Sequence, residues 1–160
     1  MRRRPLTPQA QRLVARFAGE HEALRPILAR LRATADLVAA DPTAADRVAA
    51  LRDVHTQLVE RLLPHEDEEE HRLLPALARP LGDEATDPAS RSHVEIHRLV
   101  DRLGGHLDRT LDGRLDRDLV PDLLATLYGL DAVLRLHFAQ EEESMFSLAS
   151  VDPDPGAGPR

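Results

Sequence analysis

Histidine and glutamate side chains recur in this sequence at the spacing of one helical turn. Residues four positions apart lie on one face of an α-helix, roughly 5–6 Å from each other, so both can reach a single metal ion. Three pairs have this spacing, and one further histidine precedes them. The candidate ligands are His21, His65, Glu69, His93, His97, His137 and Glu141. Imidazole and carboxylate suit iron or zinc, and five histidines with two bridging glutamates can fill most of the coordination sphere of two ions.

Four helical segments are expected to carry these ligands. Thr7 followed by Pro8 is typical of a helix start. The helices are predicted over about residues 8–40, 44–78, 88–111 and 116–149. Pro64 lacks a backbone donor and is expected to kink the second helix just before His65. Helices of this length with apolar faces favour an all-α, antiparallel four-helix bundle.

The chain length favours a single domain. We expect that domain to span residues 8–149, with a turn at Asp112-Gly113 before the last helix. Residues 1–7 are predicted to be a flexible N-terminus. Residues 150–160 are rich in proline and glycine, have nothing to bury, and are predicted to be a disordered tail.

The candidate ligands occupy positions that otherwise hold apolar residues. In the fourth predicted helix, the inward line at steps of three and four reads Leu123, Leu127, Leu130, Leu134, His137, Glu141, Met145 and Leu148. His21 stands in the same way between Phe17 and Leu24. Each unpaired charge in a core costs on the order of several kcal/mol. Metal ligation is therefore favoured over a structural role, in which the imidazoles and carboxylates would share a small core without a counterion.

Other polar residues near these positions fit a metal site less well. His55 is ten residues before His65, roughly 15 Å along the helix axis, and is predicted to be a buried packing residue. His71 and His106 are predicted to be solvated. Glu66, next to His65, is a secondary candidate ligand.

Composition excludes several other classes of function. The chain has 28 acidic and 21 basic residues, a net charge of −7, and no cysteine. This charge does not attract nucleic acid or an anionic membrane, and the lack of cysteine excludes disulfides, iron–sulfur clusters and thiol catalysis. No stretch approaches the roughly 20 apolar residues that cross a bilayer, and the N-terminal arginines precede no apolar segment. We expect a cytoplasmic protein without nucleic-acid or membrane partners.

Two better-known metal motifs do not match. Residues 65–69 lack the second histidine of the zinc-protease motif HExxH. The chain has one Glu-x-x-His, from Glu68 to His71, where ferritin-like di-iron bundles need two. No Gly-rich phosphate loop or Ser/His/Asp order indicates nucleophilic catalysis.

The ligand pattern resembles the hemerythrin-like (HHE cation-binding) domains, which are up-down-up-down four-helix bundles with a non-haem di-iron site. The likeness covers roughly residues 14–148. His21 resembles the lone histidine of the family's first helix, and residues 65–69 resemble the HxxxE of its second. Residues 93–97 resemble the HxxxH of true hemerythrins, and residues 137–141 resemble the HxxxE of the fourth helix.

The resemblance implies a ligand set for two oxo- or hydroxo-bridged iron ions. One ion would be bound by His93, His97 and His137, the other by His21 and His65, with Glu69 and Glu141 as bridges. Oxygen-carrying hemerythrins place an aspartate five residues after the last histidine, where this chain has Glu142. Glu141 and Glu142 are therefore both candidates for the second bridge.

The resemblance also implies three hypotheses about function. The first is a protein that binds O2, or the related molecules NO and peroxide, at the iron with an open position. The second is an enzyme that consumes these molecules at the same site, with or without an organic substrate. The third is an iron or redox sensor, which the lack of a visible signalling or DNA-binding domain disfavours. Residues around the ligands and access to the pocket set the reactivity, so all three hypotheses stay open here.

Overall fold

The computed structural model of this chain describes residues 6–110 and 114–147. Over these ranges the chain forms four long helices joined by short connections. Their bounds are Pro8–Ala40 for α1, residues 47–81 for α2, Asp87–Asp108 for α3 and Val120–Ser144 for α4. The predicted all-α four-helix bundle is confirmed.

Side-chain hydrogen bonds form at the start of α1 and in the turn that follows it. Thr7 Oγ1 accepts a hydrogen bond from the Ala10 N–H at 3.2 Å, and Pro8 occupies the first position of the helix. Proline suits that position because its missing N–H would have no partner inside the helix. Directly after α1, the Asp41 carboxylate accepts a hydrogen bond from the Thr43 backbone N–H at 2.9 Å, which turns the chain.

The second helix, α2, is continuous but changes its winding along its length. It contains two π turns, in which a backbone N–H donates to the carbonyl five residues earlier instead of four. Its consecutive parts are Arg47–Gln57, the π turn Leu58–Leu62, Leu63–Glu68, the π turn Glu69–Leu73, and Leu74–Leu81. The candidate ligands of α2 therefore lie between and within the two π turns.

Proline explains where the two π turns occur. The tetrapeptide Arg-Leu-Leu-Pro is present twice in α2, ending at Pro64 and at Pro75. A proline ring clashes with the carbonyl four residues earlier, and a wider turn relieves that clash. In the first π turn the Leu63 N–H donates to the Leu58 carbonyl, directly before Pro64. The second π turn, Glu69–Leu73, likewise ends two residues before its proline, Pro75. The helix therefore continues through Pro64, where the sequence predicted a kink.

Helix ends differ from the predicted ones by a few residues. The second helix begins three residues later and ends three residues later than expected, and α3 ends at Asp108 instead of about three residues further on. The fourth helix begins at Val120 because Asp116 caps the 3₁₀ turn Arg117–Leu119 instead of the helix itself. It ends at Ser144, before the predicted end.

Two predictions concern only residues outside the described ranges. They are the turn at Asp112-Gly113 and the tail, 150–160. Of the predicted flexible N-terminus, 1–7, residues 6 and 7 are described. Among the described residues, no helix has both the length and the hydropathy needed to cross a membrane.

Two apolar clusters fill the bundle, one on each side of a polar layer. The larger cluster includes Leu24, Leu62, Ile96 and Leu134. The smaller cluster includes Phe17, Leu73, Ala89 and Met145. On each helix the histidines and glutamates of this layer lie between a member of one cluster and a member of the other. Close packing on both sides therefore positions the polar layer.

Candidate metal centre

Seven buried histidine and glutamate side chains form the polar layer of the bundle. They are His21 from α1, His65, Glu66 and Glu69 from α2, His93 from α3, and His137 and Glu141 from α4. None is more than 6% exposed. We call these seven residues the core cluster.

The potential ligand atoms of the core cluster fall into two groups. Within each group the atoms lie no more than 4.8 Å from one another, which is close enough to surround one cation. One group contains Glu66, Glu69, His93 and His137, and the other contains His21, His65 and Glu69. Glu69 belongs to both groups.

The two oxygens of Glu69 face different histidines. Its Oε1 lies 3.4 Å from His65 Nε2 and 3.8 Å from His21 Nε2, whereas its Oε2 lies 3.5 Å from His93 Nε2. A carboxylate in this position can bind two cations at once, one through each oxygen. The shared residue thus joins the two groups into one site.

Glu141 also contacts histidines of both groups. Its Oε2 is 3.2 Å from His21 Nε2 and 3.3 Å from His137 Nε2. The neighbouring Glu142 is partly exposed and pairs with Arg25 at 2.7 Å. Of the two glutamates that the sequence left open, the structure brings Glu141 into the core cluster.

The inward-facing atoms of the core cluster have no hydrogen-bond partners among the described residues. The unpartnered atoms include Nε2 of His21, His65, His93 and His137 and both carboxylate oxygens of Glu66, Glu69 and Glu141. Leaving a buried polar atom unpaired costs roughly 1–3 kcal/mol, so a natural core does not gather so many without a further partner. Nitrogen and oxygen donors that converge in this way fit one or two transition-metal cations.

The three buried carboxylates also require a positive charge close to them. Burial, together with the nearby Glu69 and Glu66, raises the pKa of Glu141 well above its usual value. Burial alone would raise the pKa of Glu66 too, but its contacts with His137 and His93 lower it well below the usual range. Three carboxylates this close cannot all carry a charge without a cation between them.

The histidines respond to this environment in opposite directions. Burial, with His65 and His137 nearby, lowers the pKa of His21 to about 3. Burial would also lower the pKa of His93, but the carboxylates of Glu66 and Glu69 near its Nε2 raise it to about 11. A histidine must be neutral to bind a metal, so metal binding has to displace a proton from His93.

Three of the four histidines also contact a carboxylate on the outer side of the ring. The Nδ1-to-oxygen contacts are His65 to Glu20 at 2.9 Å, His93 to Glu70 at 3.0 Å and His21 to Glu142 at 3.5 Å. The contacts of His65 and His93 are hydrogen bonds, and a carboxylate that accepts the Nδ1–H holds the ring in one orientation, with Nε2 free to bind a metal. The arrangement is typical of metal-binding histidines.

Phenylalanine side chains enclose one half of the site. Phe138 stacks on the His21 ring at 3.9 Å between centroids, and Phe146 meets the same ring edge-on at 4.7 Å. Phe17 lies 5.5 Å from the His65 ring. These are the only three phenylalanines in the sequence, and all of them pack against this half. The half that contains His21 and His65 is therefore apolar and shielded from water.

The structure brings six of the seven sequence-predicted ligands together, and His97 is the exception. The His97 side chain is 37% exposed and its Nε2 lies 3.4 Å from Asp67 Oδ1, away from the core cluster. The inward-facing line of α3 runs from His93 through Ile96 to Val100, all of which are buried. Residue 97 is turned about 100° from residue 96 around the helix axis and so lies at the flank.

Glu66 takes the place in the core cluster that the sequence analysis assigned to His97. It is fully buried, and its Oε2 lies 2.7 Å from His93 Nε2 and 3.0 Å from His137 Nε2. A signal for it was present, because Glu66 is four residues after the buried Leu62 and three before Glu69. Those steps continue the apolar line of α2.

The remaining histidines lie outside the core cluster. His106 was expected to be solvated, but it is buried between α3 and α4, and its Nε2 lies 3.0 Å from Asp122. His55 was expected to be buried, but it is half-buried and lies against Gly104, where a Cβ would come within 3.0 Å of its Nε2. His71 is exposed, as predicted.

Replacing Glu66 by glutamine should weaken metal binding, whereas replacing His97 by glutamine should not. Glutamine keeps the volume of Glu66 but removes a charged donor, so we expect at least a roughly tenfold loss of metal affinity. His97 is outside the core cluster, and its variant serves as the matched control. Competition with a metallochromic chelator measures both affinities. Normal affinity in Glu66→Gln with a loss in His97→Gln would restore the ligand set that the sequence analysis favoured.

The fold and the core cluster together define a four-helix bundle with a metal-binding site of histidines and glutamates at its centre. The family model described as the hemerythrin HHE cation binding domain matches residues 12–149, which is most of the chain. The protein therefore belongs to the hemerythrin HHE cation-binding family. Compared with curated proteins and with solved structures, the chain gives no match.

Proposed function

We propose that this protein is a non-haem di-iron protein that binds O2, or a related small molecule such as NO or peroxide, in the bundle core. The observation that carries the proposal is the position of Glu69, whose two oxygens face two separate groups of ligand atoms. A single ion would leave one of these groups unsatisfied. Membership of a cation-binding family supports a metal in this place.

The donor atoms suggest how two ions would be held. Glu66, His93 and His137 would bind the first ion, His21 and His65 the second, and Glu69 and Glu141 would span both. The second ion then has fewer protein donors than the first. An unequal set of this kind leaves room for an external ligand at one ion.

The chain's own residues prepare the site for such a ligand. Bound as ferrous iron, the metal pair would supply the electrons that O2, NO or peroxide accepts. Glu20 and Glu70 hold the rings of His65 and His93 in orientation through Nδ1. Phenylalanines around His21 keep water away from that half of the site.

The second candidate function is an enzyme that consumes O2 or peroxide, and the carboxylate content of the donor set supports it. The core cluster contains three glutamates and four histidines, which is richer in carboxylates than the sequence-predicted set of two and five. Hard, anionic oxygen donors stabilise higher oxidation states of iron better than imidazoles do. Oxidation of a substrate therefore fits this site better than it would fit a site that included His97.

The cytoplasmic location remains a prediction from the sequence.

Anaerobic reconstitution with ferrous iron should give two iron ions per chain, followed by a reaction with O2 that changes the absorption spectrum. Elemental analysis measures the stoichiometry, and spectra before and after air measure the reaction. A spectrum that reverses on removal of O2 supports carriage, whereas consumption of O2 in a single turnover supports an enzyme. Saturation at one ion per chain, or zinc that iron cannot displace, would contradict the di-iron proposal.

A further inference from the structure

A cavity of about 450 Å³ borders the core cluster. Two members of the core cluster, His137 and Glu141, form part of its wall. The remaining wall comes from the start of α3, the turn before it, and the last part of α4. The cavity therefore reaches from the end of the bundle to the metal ligands.

The cavity is too large for a diatomic molecule alone. A water molecule occupies about 30 Å³ of the liquid, whereas pockets of roughly 300–1,000 Å³ are typical sites for organic ligands and cofactors. O2 or NO would fill a small part of this space. Its size fits an organic molecule that lies beside the metal centre.

The wall of the cavity combines an apolar surface with acidic groups. Ala85, Pro88, Ala89 and Met145 provide the apolar surface. Glu143 provides a carboxylate, and the described residues of the wall include no arginine. Glu143 has no ion pair among the described residues. An apolar molecule with a positive charge complements this wall, and an anion does not.

The three phenylalanines occupy the space around two other histidines of the core cluster. There Phe17, Phe138 and Phe146 pack against His21 and His65. The cavity beside His137 and Glu141 therefore offers a bulky molecule a route to the metal centre.

We propose that this cavity binds a small organic cation, such as a protonated amine with an apolar body, next to the metal centre. The proposal rests on the proposed function and deepens it, because it names the class of molecule that would lie beside the reacting ligand. The apolar body lies against Ala85, Pro88, Ala89 and Met145, and the ammonium group lies near Glu143. Binding requires no change in the core cluster itself.

Three probes of equal size test the proposed charge preference. Benzylamine, benzyl alcohol and benzoate are titrated into the iron-loaded protein, and calorimetry gives each dissociation constant. Benzylamine should bind about fivefold more tightly than benzyl alcohol, as expected for one partly exposed ion pair, and benzoate should bind most weakly. In Glu143→Gln the preference for benzylamine should disappear. Equal binding of all three probes by the unmodified protein would overturn the proposal.

Filling the cavity tests its location. Ala89→Leu should weaken benzylamine binding at least tenfold, and Ala139→Leu, on the exposed surface of α4 outside the wall, is the matched control. Ala89 is buried, so Ala85→Phe repeats the test at an exposed wall position where folding is not at stake. Unchanged benzylamine binding in both wall variants would place the binding site elsewhere.

Iron content and the O2 reaction separate this proposal from the proposed function. Both should stay normal in Ala85→Phe and in Glu143→Gln, because neither residue belongs to the core cluster. If the unmodified protein takes up no iron, the proposed function fails. If it takes up iron and reacts with O2 but shows no charge preference among the three probes, only the cavity proposal fails.

Discussion

Glu69→Ala is expected to lower the iron bound per chain from two ions to one or none. Glu69 is the residue whose oxygens face both groups of ligand atoms, so its loss removes a donor from each group. It would also leave Glu66 and Glu141 to balance the charge of any remaining ion. Elemental analysis after anaerobic reconstitution measures the effect, which should exceed that of any residue belonging to one group.

A matched control for this variant is available on the same helix. Glu60→Ala removes an exposed glutamate nine residues earlier and should leave the iron content at two ions per chain. Circular dichroism checks that both variants remain helical. Two ions bound by folded Glu69→Ala would show that this carboxylate does not bridge the metals.

Removal of the metal is expected to lower the melting temperature by roughly 10 °C. Without a cation, the core cluster keeps the unpartnered nitrogen and oxygen atoms of seven residues facing one another. A ligand that binds only the folded state at about a thousand times its dissociation constant contributes about 4 kcal/mol of stability. For a chain of this size, each kcal/mol shifts the melting temperature by about 2–4 °C.

The melting experiment compares the iron-loaded and the chelator-treated protein by differential scanning calorimetry. Glu69→Ala should show a much smaller difference between the two melting temperatures, because it has lost the shared ligand. His71→Ala, in an exposed position of the same helix, should show the full difference. Identical melting of the loaded and the metal-free unmodified protein would show that the core cluster is a structural feature.

Most of the fold and most of the core cluster could be predicted from the amino-acid sequence. The spacing of residues along one helix is a local property, because each residue adds about 100° of rotation and 1.5 Å of rise. For that reason the pairs His65 with Glu69 and His137 with Glu141 indicated which side chains share a face. Apolar residues on both sides of each pair then predicted burial in a bundle core.

The choice between Glu66 and His97 depended on the tertiary structure. Glu66 is next to the predicted ligand His65, and His97 is next to Ile96, which lies on the buried line of α3. A rotation of either helix about its axis by one residue would exchange the inward-facing and outward-facing residues. Packing of α3 against its neighbours buries Ile96 and leaves His97 at the flank. Local spacing contains no information about that rotation.

Whether α2 kinks or widens at its prolines was also clear only from the tertiary structure. The sequence showed that Pro64 must disturb the helix, but a kink and a wider turn both relieve the clash of a proline ring. The structure has π turns at Leu58–Leu62 and at Glu69–Leu73, and between them both His65 and Glu66 face the core. The sequence by itself thus determined the helices and the types of ligand. The tertiary structure decided which donors meet, because the rotation of each helix is set by contacts between helices.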